Sequence, residues 1–149
     1  MSLYRNNEGY YDPTAGEALS NVIREYKAKQ REERKRRERI MSRPRVYVVS
    51  RYAGDVDANV KKAKQYCRFA ASKRTIPFAS HLLYPRFMKD DDPKERDLGM
   101  LFGLVWLRLC DEVWCFGTEH SEGMRAELHE ARKLMIPIRY FTEEMEETI

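Results

Sequence analysis

The chain has 149 residues, 42% hydrophobic and 35% charged, with a formal net charge of +4. That length suits one domain with a real core plus an appendage, and no apolar run approaches the about 18 residues of a membrane span. No signal-peptide pattern opens it, so the expectation is a cytoplasmic protein with no membrane partner. The charge is unevenly placed: residues 1–45 hold 12 Lys or Arg against 7 Asp or Glu, which leaves the rest near −1. The pI near 9.0 therefore describes the appendage and not the domain.

Residues 1–13 carry turn formers and tyrosines without a period and read as an irregular lead-in. A helix is expected from Thr14, with Thr14 as N-cap and Glu17 completing a capping box. Ala18, Leu19, Val22, Ile23 and Tyr26 supply a single apolar stripe. From Lys27 to Arg39 nearly every residue is charged, so such a helix has little to bury. This run is either a solvated helical linker or a basic arm; as an arm, residues 24–45 would make nonspecific nucleic-acid contacts, without base stacking because aromatics are not interleaved. Residues 1–44 are set apart as this extension.

After Pro44 the composition changes. Val46 to Val49 is a continuous apolar run, as in a strand buried on both faces of a parallel sheet. The loop SRYAGD follows, then a helix from near Asp55, with Val56, Val60, Ala63, Cys67 and Ala70 at helical spacing. Ile76 to Ala79 gives a second strand, and the segment to Lys89 a loop rich in large side chains. Asp92, Pro93 and Glu95 open a third helix with a capping box. Its later half, LFGLVWL, is apolar enough to expect burial on more than one side, with Gly99 and Gly103 permitting a close backbone approach. Val113 to Phe116 and Ile136 to Phe141 are the third and fourth strands, with a helix capped by Ser121 between them. The acidic tail, 143–149, has no evident packing partner.

Strands alternating with helices over 45–142 predict an α/β three-layer sandwich with a short parallel sheet, Rossmann- or flavodoxin-like. Ligands of such sheets bind beyond the carboxyl ends of the strands. Three loops leave those ends, carrying Ser50, Arg51, Tyr52, Gly54 and Asp55, then Ser80 and His81, then Ser121 and Gly123. Arg51 offers a fork for an anion, Tyr52 a stacking face and Gly54 close access to backbone. Asp55 could equally cap the following helix. Cys67, Cys110 and Cys115 lack metal spacing, and His120 and His129 do not complete a ligand set, so no metal or other cofactor is expected.

On a wheel at about 100° per residue, Met124, Leu128, Ala131, Leu134 and Met135 share one arc of roughly 120°, and Glu127 falls inside it. A carboxylate on the apolar side is costly unless something there uses it. It either bends to water at the rim or faces a pocket at the helix N-terminus, where Ser121 and backbone N–H groups converge.

The run Gly123, Met124, Arg125, Ala126, Glu127, Leu128, His129, Glu130, Ala131, with Ile136, Pro137 and Ile138, resembles the nucleophile helix of nucleoside 2-deoxyribosyltransferases and nucleotide N-glycosidases. More closely, Arg45 to Phe141 resembles an uncharacterised bacterial and phage domain group within that superfamily. The opening NNEGYYDPTAG is similar to the start of small proteins of phages and mobile elements. The resemblance implies a nucleoside or nucleotide ligand, Glu127 as nucleophile, and the first loop, Ser121, Gly123 and Met124 around the sugar or phosphate. It also implies assembly into a homo-oligomer. Transferases of the superfamily carry an acid in the helix before the third strand, where this chain has Gly103 and Leu104. The proton for the leaving base would then come from His81, Asp55 or a less expected group. Two other readings stand beside this one: a noncatalytic nucleotide-binding module, and a nucleic-acid-associated accessory protein of a phage or mobile element acting through the basic arm.

Overall fold

The computed structural model describes Arg5 and residues 7–149, and the rest of the expected lead-in lies outside the described residues. The chain divides into two compact units, residues 1–42 and 43–149.

The first unit is dominated by one 29-residue helix, α1 (Pro13–Met41). Its N-cap is Asp12, not Thr14: the Asp12 carboxylate accepts from Ala15 N at 2.9 Å, and Pro13 takes the first helical position. Proline fits there because its missing N–H would have had no intrahelical partner. The helix ends with the Ser42 N–H bonded back to Glu38 O.

The second unit is an α/β sandwich on a five-stranded sheet. Its elements are β1 (Arg45–Val49), α2 (Val56–Ser72), β2 (Ile76–Phe78), α3 (Pro93–Arg108), β3 (Glu112–Phe116), α4 (Glu122–Lys133), β4 (Ile138–Phe141) and β5 (Glu147–Thr148). Two short 3-10 turns, Ser80–Leu82 and Tyr84–Arg86, occupy the segment expected to be a plain loop. The order is β2-β1-β3-β4-β5, with β1 to β4 parallel and β5 antiparallel to β4. This is the flavodoxin-like order, whose direction of winding reverses between β1 and β3.

Alternation along β1 sends its side chains to two cores. Val46 and Val48 pack with Tyr66, Ala70, Trp114, Phe116 and Phe141 on the α2 face. Tyr47 and Val49 pack with Leu107, Val113, Cys115, Met124, Leu128 and Ala131 on the face carrying α3 and α4. All three cysteines are unpaired, and burial pushes Cys67 and Cys110 up to about 11 and Cys115 to about 12, so they serve as apolar packing.

Three expectations are corrected. The tail does have a partner, since β5 pairs with β4 and Arg139 makes a two-point ion pair with Glu147 at 2.8 and 2.6 Å. The helix α3 is buried on one side only: Gly103 and Leu107 are inside, while Leu98, Leu101, Val105 and Trp106 are exposed. A helix flanking one face of a sheet can bury a single stripe, and α3 carries more apolar residues than that stripe holds. The apolar arc of α4 also ends sooner than the wheel implies. The helix stops at Lys133, Met135 adopts a left-handed φ of 56°, and Met135 is 88% exposed.

Candidate active site

The loops after β1, β2 and β3 meet at the β1/β3 reversal around a cavity of about 270 Å³ on the α3/α4 side of the sheet. Seven of the ten residues singled out in the sequence line it: Ser50, Tyr52, His81, Ser121, Gly123, Met124 and Glu127. Arg51, Gly54 and Asp55 do not. Arg51 lines a separate cavity with Asn59, Lys62 and Glu143, because neighbouring side chains of an extended segment leave on opposite sides. Gly54 sits at φ 103° with nothing within 4 Å of where a Cβ would be, so it serves the turn. Asp55 is the N-cap of α2, accepting from Ala58 N at 3.2 Å.

Glu127 is 7% exposed in the second turn of α4. Its Oε2 is buried and has no hydrogen-bond partner. The Tyr47 hydroxyl lies beside this carboxylate and interacts with it. Tyr47 Oη also shares a hydrogen bond of 2.7 Å with Ser80 Oγ, in which either hydroxyl can donate. Burial raises Glu127 to about 7, and its interaction with Tyr47 pulls in the other direction. Tyr47 itself is pushed well above the phenol value, first by burial and then by the Glu127 charge. Gly103 makes this triad possible, since a Cβ there would lie 2.9 Å from both Ser80 Oγ and Tyr47 Oη. The glycine therefore admits two side-chain oxygens, whereas the sequence suggested a backbone approach.

α4 is fixed at both ends of its buried stripe. Ser121 caps it by accepting from Met124 N at 3.3 Å, and Ser121 N in turn reaches Met124 Sδ at 3.5 Å. Toward the other end Glu130 is buried and held by Arg108 of α3 at 2.8 Å. This pair joins two walls of the cavity. Glu130 lies just outside the apolar arc on the wheel, so periodicity did not single it out.

His81 is bonded through Nε2 to Ser50 Oγ at 2.9 Å, while Nδ1 is buried without a partner. Burial lowers it to about 4, so the ring is neutral near pH 7 and is no proton source there. It acts as a wall group, with Tyr52 edge-on at 6.5 Å. His120 is turned to the sheet, stacked on Tyr140, with Nε2 3.6 Å from Cys115 Sγ. Among the described residues no three His, Cys, Asp or Glu side chains gather to hold a metal ion, and no helix is long and apolar enough to cross a membrane.

The cavity also contains groups that the sequence did not assign to it: Asp90, Glu95 and Arg96 on one wall, with Tyr84 and Met100. Glu95 read as half of a capping box. Instead Asp92 caps α3 through Lys94 N, and Glu95 lines the cavity. The run of three aspartates, Asp90 to Asp92, was the signal available, but only the 3-10 turns bring it over the site. Tyr47 was legible in one respect, because a tyrosine in a fully buried strand must find a partner for its hydroxyl.

Residues 44–141 match the model of the family described as Domain of unknown function (DUF7768). The chain belongs to that family. Among solved structures, the DUF7768 chain is similar to a 2-deoxyribosyltransferase from the psychrotolerant bacterium Bacillus psychrosaccharolyticus. The TM-score is 0.51 at 18% identity, over 66% of this chain and 72% of that one. At that identity the likeness is one of fold. No curated protein matches the DUF7768 chain.

Proposed function

We propose that the cavity binds a nucleoside and cleaves its N-glycosidic bond, with Glu127 as nucleophile. The observation that carries this reading is a nearly buried carboxylate lining a cavity at the sheet's reversal point, with the Tyr47 hydroxyl beside it and its Oε2 without a partner. The ionised carboxylate would attack the anomeric carbon. A C–O bond forms, the C–N bond breaks, and its electron pair leaves with the base, which takes up a proton. Water attacking the ester would release the sugar; a second base would give transfer. The likeness in fold to a 2-deoxyribosyltransferase supports the same class of chemistry.

Neither His81, held neutral, nor Asp55, occupied as a cap, suits proton delivery. Asp90 and Glu95 line the cavity and replace them in this reading. The charge balance also favours a neutral nucleoside over a nucleotide, since Asp90, Glu95, Glu122 and Glu127 face a single Arg96.

The test is base release from a panel of nucleosides and nucleotides, alongside binding. Glu127→Gln is expected to lower release by at least about 10³-fold while ligand still binds. The acid limb of kcat/KM should fall near pH 7, where Glu127 ionises. Saturable binding without release by the parent protein, weakened by Tyr52→Ala, would instead identify a noncatalytic binding module. No binding to any member of the panel would end both readings.

A further inference from the structure

The proposed glycosidic chemistry makes no use of α1, whose charges are sorted by face. Residues 24–39 hold nine Lys or Arg and four Glu. Viewed down the helix at about 100° per residue, Arg24, Lys27, Arg34 and Lys35 lie within about 60° of Arg31. Glu38 is the one acid among them. Glu25, Glu32 and Glu33 all lie more than about 90° away. There they face Lys29, Arg36 and Arg37, and the far half is electrically balanced.

Of the two ion pairs, one lies wholly on the far half and the other takes a single cation from the row. Glu33 holds Arg36 at 3.2 Å and Glu32 reaches Lys35 at 3.9 Å. Arg24, Lys27, Arg31 and Arg34 are exposed and pair with no carboxylate among the described residues. A helix needing its charges only for solubility would mix signs on every face, as i,i+3 and i,i+4 pairing favours. Here one face keeps four of its five cations, Arg24 to Arg34, without a carboxylate partner along about 15 Å of a capped helix.

We infer that this face of α1 docks on the phosphate backbone of duplex nucleic acid. A row of cations on a rigid rod suits a regular line of phosphates, spaced at one charge per about 1.7 Å of duplex axis. Single strands fit less well, because their binders stack bases on aromatics and Tyr26, the aromatic nearest in sequence, lies on the far half. Anionic membrane is disfavoured by the same geometry: an interfacial helix needs an apolar face, and the side opposite the row is itself charged. Contacts of this kind position a protein without reading sequence.

The experiment uses the full chain and a labelled 24-base-pair DNA of mixed sequence, read by fluorescence anisotropy from 50 to 200 mM salt. Four to five neutralised phosphates give a slope of about −4 in log K against log salt, a loss on the order of 10²-fold across that range. The triple variant Lys27→Gln, Arg31→Gln, Arg34→Gln should weaken binding at least tenfold and flatten the slope to about −1. Lys29→Gln, Arg36→Gln, Arg37→Gln removes the same charge from the far half and should change affinity less than threefold. Gln is close to Lys and Arg in helix propensity, so both variants should keep the helicity of the parent by circular dichroism. Arg31→Lys with Arg34→Lys should retain binding. Equal losses in the two triple variants, a slope near zero, or tighter binding to phosphatidylserine vesicles than to the duplex would each overturn the inference. None of these outcomes depends on base release.

Discussion

Gly103 has no side chain at the point where Tyr47 Oη and Ser80 Oγ come together, and that tyrosine lies beside Glu127. Tyr47 is fully buried, so it cannot swing aside to admit a methyl group 2.9 Å away. Gly103→Ala is therefore expected to destabilise the domain by about 1–3 kcal/mol, as overpacking does, measured by urea unfolding. It should also move the acid limb of the proposed base release upward, because the Tyr47 interaction that lowers the Glu127 pKa is disturbed. A variant as stable as the parent, with an unmoved limb, would show that the triad tolerates rearrangement. Glycine and a buried tyrosine were both visible in the sequence. Their meeting was not, because one lies on β1 and the other on α3, joined only by the crossover.

At the scale of elements, α4 supplies the site and α3 holds it in place. The Arg108–Glu130 pair spans the two helices, with Glu130 buried and Arg108 more than half exposed. Arg108→Ala leaves a carboxylate inside without its partner, at a cost of about 1–2 kcal/mol, less than for a fully buried pair because Arg108 is partly screened. Since the pair ties together two walls of the cavity, ligand affinity should fall with stability. Arg108→Lys should restore part of the stability but not the two-point contact made by Nε and a terminal nitrogen. Unchanged stability in Arg108→Ala would mean that Glu130 finds water when the arginine is gone. The strands, the helices and the Ser121 cap could be read from apolar runs and capping residues. The ends of elements could not: α4 stops at Lys133 because Met135 takes a left-handed turn, which no periodicity announces.

For the whole molecule, two buried groups in one cavity pull stability in opposite directions as pH changes. Glu127 has a folded pKa raised from 4.5 to about 7, so the unfolded chain releases its proton first and stability falls as pH rises through that interval. His81 is lowered from 6.5 to about 4, so the unfolded chain binds a proton first and stability is lost as pH falls from 6.5 toward 4. Between about 4.5 and 6.5 the two slopes cancel. Relative to the parent, Glu127→Gln should gain up to about 3 kcal/mol by pH 7 and expose the rising slope of His81. His81→Gln should expose the falling one. Urea unfolding at intervals from pH 4 to 8 measures both differences, and parallel curves for all three proteins would refute the assignment.

Apolar runs, capping residues and composition were enough for the α/β class, the alternation of strands and helices, and the break before the domain. Helical periodicity also placed Glu127 on an apolar arc. Each of these is written in local periodicity and turn chemistry, which act over a few residues. The folded chain alone reveals that Asp90, Glu95 and Arg96 share the cavity, that Arg51 and Asp55 do not, and that Tyr47, Ser80 and Gly103 meet near the carboxylate. It also turned the acidic tail into an edge strand. These outcomes depend on strand order and on which face of the sheet each crossover takes, and such contacts between distant segments leave no mark in the spacing of neighbouring residues.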